Sequence, residues 1–239
     1  MDYVIELLAS FFAVVIVLTL HEFAHAFVAY KCGDPTPKFN RRLTLNPMRH
    51  FDLTGLLCFT LVGFGWAKPV PVNPYNFRRY RLGLGLTASA GVIVNYISAF
   101  LFYPLALVAL IYMPSIPVLT SFLTTFLLMI YAYSLSFCVF NLLPLYPLDG
   151  FRILDAANRR RGKLFCFLRD NGYWILLGLI AESYICRVFV SLGVGIMHYF
   201  DILGWIMEFA TKYLGFPILA IWGLIFGMPI ESLWGMLLW

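Results

Sequence analysis

The sequence predicts an all-α polytopic membrane protein. It has a core of three membrane helices, one or two further membrane segments towards the C-terminus, and a small re-entrant or interfacial β-hairpin. Three observations carry that reading. The chain is 62% hydrophobic and only 12% charged, with a mean hydropathy of +0.84, where ordinary soluble domains are about 25% charged. No charged residue occurs between Leu82 and Leu148, a stretch too long for one span of about 20 residues and suited to two joined by a turn. Of 17 Lys and Arg, nine fall between Lys31 and Arg81 and six between Arg152 and Arg169. Basic residues gathered into two loops are the mark of membrane topology, so the net charge of +5 does not indicate a nucleic-acid partner.

The first span is predicted from about Tyr3 to Tyr30, and it stops at the Lys31-Cys32-Gly33-Asp34-Pro35 cluster. It opens with Asp2 and Glu6 instead of a basic region, so it does not read as a cleavable signal. A basic loop follows. The apolar stretch 53–67 is too short to cross as a helix and carries Gly55, Gly63 and Gly65 among β-formers, which predicts the hairpin. Lys68 to Pro74 must be extended, because its prolines block a helix.

The second span is placed at 84–113 and the third at 118–143, with the turn between them at 114–117. A fourth is placed at 173–199, with Glu182 and Arg187 inside it as structural residues. Residues 201–239 read as an interfacial segment or a short span. Residues 1–155 form the predicted core and 156–239 the C-terminal membrane segments. Five cysteines, an odd number with no C-x-x-C pair, give no disulfide framework and no zinc-ribbon spacing.

Within the first span lies His21-Glu22-Phe23-Ala24-His25, an H-E-x-x-H sequence. Residues four apart stack on one face of a helix, so His21 and His25 can share one zinc ion, with Glu22 beside it to take a proton from water. With four His and five Glu in the chain, about 0.001 such matches are expected by chance. Ionisable groups in a membrane helix are costly unless they are paired or line a wet cavity, so they point to function. A hydrolytic zinc needs three protein ligands and an open position.

The third ligand must be a His, Asp or Glu at matching depth. With both basic loops in the cytoplasm and the N-terminus outside, the motif lies near the cytoplasmic end of the first span, and Asp149 lies just past the cytoplasmic end of the third. Asp149 is the best candidate. It belongs to the proline-broken stretch 141–150, which must be buried or line a cavity if it sits at membrane depth. His50 and His198 read as structural or interfacial.

His21-Glu22-x-x-His25, paired with N-x-x-P-x-x-P-L-D-G at 141–150, resembles the joint signature of the site-2 protease family, peptidase family M50. Lys68 to Pro74 after Gly65-Trp66-Ala67, and Leu45-Asn46-Pro47 upstream, resemble its compact prokaryotic type without PDZ or CBS domains. The resemblance implies His21, His25 and Asp149 as ligands of one Zn²⁺ and Glu22 as the catalytic residue. The family's G-P-x-x-N stretch corresponds to Gly91–Asn95, with Val92 where proline is usual.

The expected activity is an intramembrane zinc endopeptidase, cutting within or near a transmembrane segment of a membrane protein by zinc-activated water, with Glu22 as general base. Asn95 is a candidate for oxyanion stabilisation. Asn141 and the hairpin edge are candidates for holding an unwound substrate. The expected partners are that membrane-protein substrate and the lipid bilayer. The alternative is a non-catalytic membrane zinc-binding protein, in metal handling or as a pseudoprotease scaffold, in which Glu22 would have no use.

Overall fold

A computed structural model describes residues 2–52, 54–55, 58, 67–113 and 117–228. Seven α-helices are described: α1 (Asp2–Cys32), α2 (Thr36–Phe39), α3 (Tyr80–Tyr112), α4 (Pro117–Leu142), α5 (Asp149–Ala157), α6 (Lys163–Ser191) and α7 (Ile202–Phe226). Five of them, α1, α3, α4, α6 and α7, are long and apolar enough to cross a membrane. The protein is a multi-pass, all-helical membrane protein.

α1, α3 and α4 pack against one another, α5 packs on α3 and α4, and α7 lies against α4 and α6. Small residues allow the close approach of α1 and α4, where Ala13 and Val17 meet Ile130. A second cluster joins Tyr103 and Leu107 of α3, Tyr131 and Leu135 of α4, and Ile218 and Leu219 of α7. Pro104 and Pro217 sit inside α3 and α7. Membrane helices tolerate such breaks where neighbours take up the freed backbone groups.

Two expectations are corrected, and one pair of alternatives is narrowed. The hairpin is not supported. Most of 53–67 lies outside the described residues, but Thr54, Gly55 and Cys58 have helical backbone, and no strand occurs among the described residues. At the edges of the stretch there is one isolated antiparallel bridge, Phe51 to Ala67, with Lys68 N–H donating to His50 O at 2.9 Å. A short apolar run cannot be assigned to strand or helix from periodicity alone.

The fourth membrane helix is Lys163–Ser191 instead of 173–199. Its first turns carry the charged residues Lys163, Arg169 and Asp170, the last two paired at 2.8 Å. It stops where Gly193 adopts φ +91°. Of the two readings of 201–239, the span is the one favoured: Ile202–Phe226 is one continuous 25-residue helix, long and apolar enough to cross a membrane. Asp201 caps it, accepting from Gly204 N–H, and residues 229–239 lie outside the described set.

Asp34 is the knot between α1 and the chain that follows. Fully buried, it accepts from Thr36 N–H at 3.0 Å and Thr36 Oγ1 at 2.5 Å. It also accepts from Asn73 N–H at 2.7 Å and from Asn76 Nδ2 at 2.8 Å. Burial works to raise this carboxyl, but those donors outweigh it and hold it below the usual carboxylate range. Its stabilisation is therefore present above the unfolded aspartate value near pH 4, and is lost as pH falls through the lowered folded value.

Asp34→Ala should cost about 3 kcal/mol, since it strands buried donors. The melting-temperature gap between wild type and Asp34→Asn should be widest at neutral pH and close below about pH 4. A gap independent of pH would assign the role to packing.

Candidate metal centre

His21 and His25 lie one turn apart on α1, buried, with ring centroids 4.6 Å apart and edge-to-face. Their Nε2 atoms converge at 3.0 Å. Asp149 Oδ2 stands 3.4 Å from His21 Nε2 and 3.0 Å from His25 Nε2. These are the ligand-type atoms of one buried cluster, all within 4.8 Å of one another. The edge of a tetrahedron with ligands at about 2.0–2.1 Å is about 3.3–3.4 Å, so the spacings fit a single zinc. Asp149 Oδ2 has no other hydrogen-bond partner, as a ligand oxygen facing a metal position requires.

The distal ring nitrogens are held from behind. His25 Nδ1 is 2.7 Å from the carbonyl oxygen of Thr87 on α3, which fixes Nδ1 as the protonated nitrogen and leaves Nε2 free to ligate. The Asn95 amide, fully buried on α3, is 3.1 Å from His21 Nδ1. Asn95 Oδ1 is buried without a partner. Turning the amide lets His21 Nδ1–H donate to Oδ1 and satisfies both groups.

The rings fit because Gly91 lets the backbone of α3 approach. A Cβ there would lie 2.5 Å from His21 Cε1 and from His25 Nε2.

Asp149 is delivered by a broken turn. α4 ends at Leu142, Leu148 is extended, and Asp149 opens α5, where a carboxylate also suits the positive end of the helix dipole. A Cβ on Gly150 would fall onto the Leu142 carbonyl, and one on Gly172 of α6 would sit 2.6 Å from Tyr146 N. Two close backbone approaches thus clamp the turn from either side. Arg152 stands 4.0 Å from the second Asp149 oxygen at a half-exposed position, where such a pair contributes little.

Glu22 is buried beside the cluster, and one of its oxygens accepts from Val70 N–H at 3.0 Å. Val70 lies between Pro69 and Pro71, which have no N–H to give. The donors of this extended strap are spread along its length: Lys68 to His50 O, Val70 to Glu22, and Asn73 to Asp34. A cavity of about 130 Å³ opens here, room for several waters. His21, Glu22, His25, Val70, Asn141 and Asp149 are on its wall. Asn141 thus faces the cavity, and its Nδ2 donates to Phe137 O at 3.1 Å. Asn95 contacts His21 and is not on that wall.

His50 and His198 stand elsewhere. His50 is fully buried, 2.8 Å from Thr44 O, and His198 packs on Trp205. Glu182 accepts from Ile202 N–H at the junction of α6 and α7, and Arg187 lies 3.8 Å from Asp201. Sequence reasoning did not find the Thr87 carbonyl, the Val70 N–H or the steric role of Gly91. The first two are backbone groups, and the proline on each side of Val70 was the only hint of the second.

Five apolar helices and a buried His-His-Asp cluster that could hold a metal ion define a multi-pass membrane protein with a candidate metal centre. The model of peptidase family M50 matches residues 107–180. A Bacillus subtilis (strain 168) protein named "Putative zinc metalloprotease YwhC" is 43% identical over 153 residues, 64% of this chain and 67% of that protein. No solved structure matches. The chain belongs to peptidase family M50 and is a metalloprotease.

Gly91→Ala should lower zinc affinity about tenfold or more, the scale of a disturbed supporting shell. The metal content of purified protein, measured by mass spectrometry after dialysis against a weak chelator, checks this. Stoichiometric zinc in that variant would remove the cradle role.

Proposed function

We propose that the protein is an intramembrane endopeptidase that hydrolyses a peptide bond within or near a transmembrane segment of another membrane protein. One observation carries the reading: His21 and His25, on a helix apolar enough to span, meet Asp149 in a buried cluster with Glu22 at its side. A zinc held by these three residues would supply Lewis acidity, making water a nucleophile at neutral pH and polarising the scissile carbonyl.

Glu22 is the general base. Val70 N–H holds one of its oxygens, leaving the other to take the proton from water as it adds to the carbonyl and to pass it to the leaving amine. Thr87 O and Asn95 keep the two imidazoles oriented. Asn141, on the cavity wall, binds the backbone of a locally unwound substrate, whose carbonyls and N–H groups need partners in an apolar medium.

Residues 1–155 carry this machinery, and 156–239 add membrane segments outside it. Charge counting supports a cell-membrane topology with the N-terminus outside and the site near the cytoplasmic face. His21 is 11 residues from the Cys32 end of α1, or about 16 Å along the helix, and 18 from Tyr3, or about 27 Å.

Glu22→Gln should retain zinc and lose turnover by about 10²–10⁴-fold, the usual contribution of a positioned acid–base group. Metal analysis alongside cleavage of a reconstituted membrane-protein substrate reads both. Undiminished cleavage would sink the mechanism, and lost zinc would make Glu22 a structural residue. Asn141→Ala should raise KM more than it lowers kcat. An unchanged KM would remove Asn141 from substrate binding.

A further inference from the structure

The loop between α2 and the 3-10 turn Pro47–Arg49 forms a second cavity, of about 300 Å³, away from the metal cluster. Its wall is Lys38, Arg41, Leu43, Thr44, Asn46 and Arg49. Three cations face it and no carboxylate does. Among the described residues, no acidic side chain pairs with Arg41 or Arg49. Like charges gathered without counter-charge repel one another unless an anion joins them.

The loop is built, not slack. Arg42 is buried and donates to the carbonyls of Arg49 and, at 3.0 Å, Lys68. His50 meets Thr44 O, and Asn46 Oδ1 accepts from Met48 N–H at 3.0 Å. These bonds hold the loop from its inner side. Arg41 sits at φ +55°, where L side chains are uncommon.

The surroundings say what kind of anion. Phe39 is 79% exposed, Leu45 55% and Met48 82%, all within the same loop. Such apolar side chains in water would be a liability, but at a bilayer surface they enter the acyl region while neighbouring cations meet phosphates. The position fits, since Lys38 follows the end of the α1 span by six residues.

We propose that the 38–49 loop binds the phosphate of an anionic phospholipid headgroup, with Lys38, Arg41 and Arg49 as its cations and Phe39, Leu45 and Met48 among the acyl chains. The recognition chemistry, a phosphate held by guanidinium and ammonium groups, is shared with free phosphate, and the exposed apolar residues favour the lipid. The site is independent of the protease reading, because none of its side chains reaches the metal cluster.

The test is native mass spectrometry of the full chain in neutral detergent, titrated with phosphatidylglycerol or phosphatidylcholine. Wild type should retain one phosphatidylglycerol in preference to phosphatidylcholine. Arg41→Gly and Arg49→Gln, singly and together, should weaken that retention, about tenfold or more for the pair, with phosphatidylcholine unchanged. Arg41→Gly gives the left-handed position the residue that adopts it most readily, and an unshifted melting temperature confirms its fold.

Equal phosphatidylglycerol retention by wild type and either variant would overturn the site. So would displacement of the lipid by millimolar inorganic phosphate with Phe39→Ser/Met48→Ser retaining as much as wild type, since that pattern describes a free-phosphate pocket. Resistance to phosphate together with loss in Phe39→Ser/Met48→Ser supports the lipid.

Discussion

Everything near the cluster follows from one constraint: polar groups placed inside an apolar helix must be satisfied within the protein, because a bilayer offers no water to do it. His21, Glu22 and His25 present three such groups within two turns of α1. The structure answers each with a partner from another segment. Thr87 O and Asn95 come from α3, Asp149 from the start of α5, and Val70 N–H from the strap. None of these can be dropped without stranding a buried polar atom, a loss of about 1–3 kcal/mol and more for a charge. The demand of one pentapeptide therefore sets where three distant pieces of chain must go.

Meeting that demand requires irregular backbone close to the membrane helices, and such backbone creates polar groups of its own. The solution is reciprocal. The prolines of the strap have no N–H to satisfy, and its donors at Lys68, Val70 and Asn73 go to acceptors at His50, Glu22 and Asp34. The Asp149 turn is gripped by backbone contacts that only Gly150 and Gly172 permit. Asp34 thus does for the far end of the strap what Glu22 does for its middle. The alignment of Glu22 and the strap depends on a residue twelve positions further along the chain.

How far the sequence showed this depends on whether the information was local. His21 and His25 were legible because helical spacing alone puts them on one face, and Glu22 because it completes the H-E-x-x-H pattern between them. Asp149 was legible because its prolines and its depth marked a carboxylate that had to be buried. The helical count was legible from hydropathy, but helix ends were not. The charged turns of Lys163 to Asp170 continue α6 beyond its apolar part, and α7 runs unbroken through Glu208 and Lys212. Thr54, Gly55 and Cys58 are helical where glycine and β-branched residues suggested strands, because local composition at such a short run does not outvote tertiary context. Partners made of backbone, Thr87 O and Val70 N–H, carry no side-chain signature and could only be seen once α1, α3 and the strap were placed.

A peptide bound at the proposed site needs more room than the cavity beside the cluster offers. A cavity of about 130 Å³ accepts water but is smaller than the roughly 300–1,000 Å³ of ordinary ligand sites, so an extended peptide cannot lie in it as it stands. Of the segments on its wall, α1 carries the histidines, held from behind by α3, and cannot move without dissolving the cluster. The turn carrying Asp149 is clamped by two glycines. The strap is held at Val70 by one hydrogen bond to Glu22, and more firmly at its ends, where Lys68 both donates to His50 O and accepts from Arg42, and Asn73 donates to Asp34. Exchange of its Val70 N–H for a donor from the substrate would cost little, because one hydrogen bond to Glu22 replaces another. For a substrate bound as proposed, room is most cheaply made on the side of Pro69 to Val72, with Asp34 as the fixed point about which that stretch shifts.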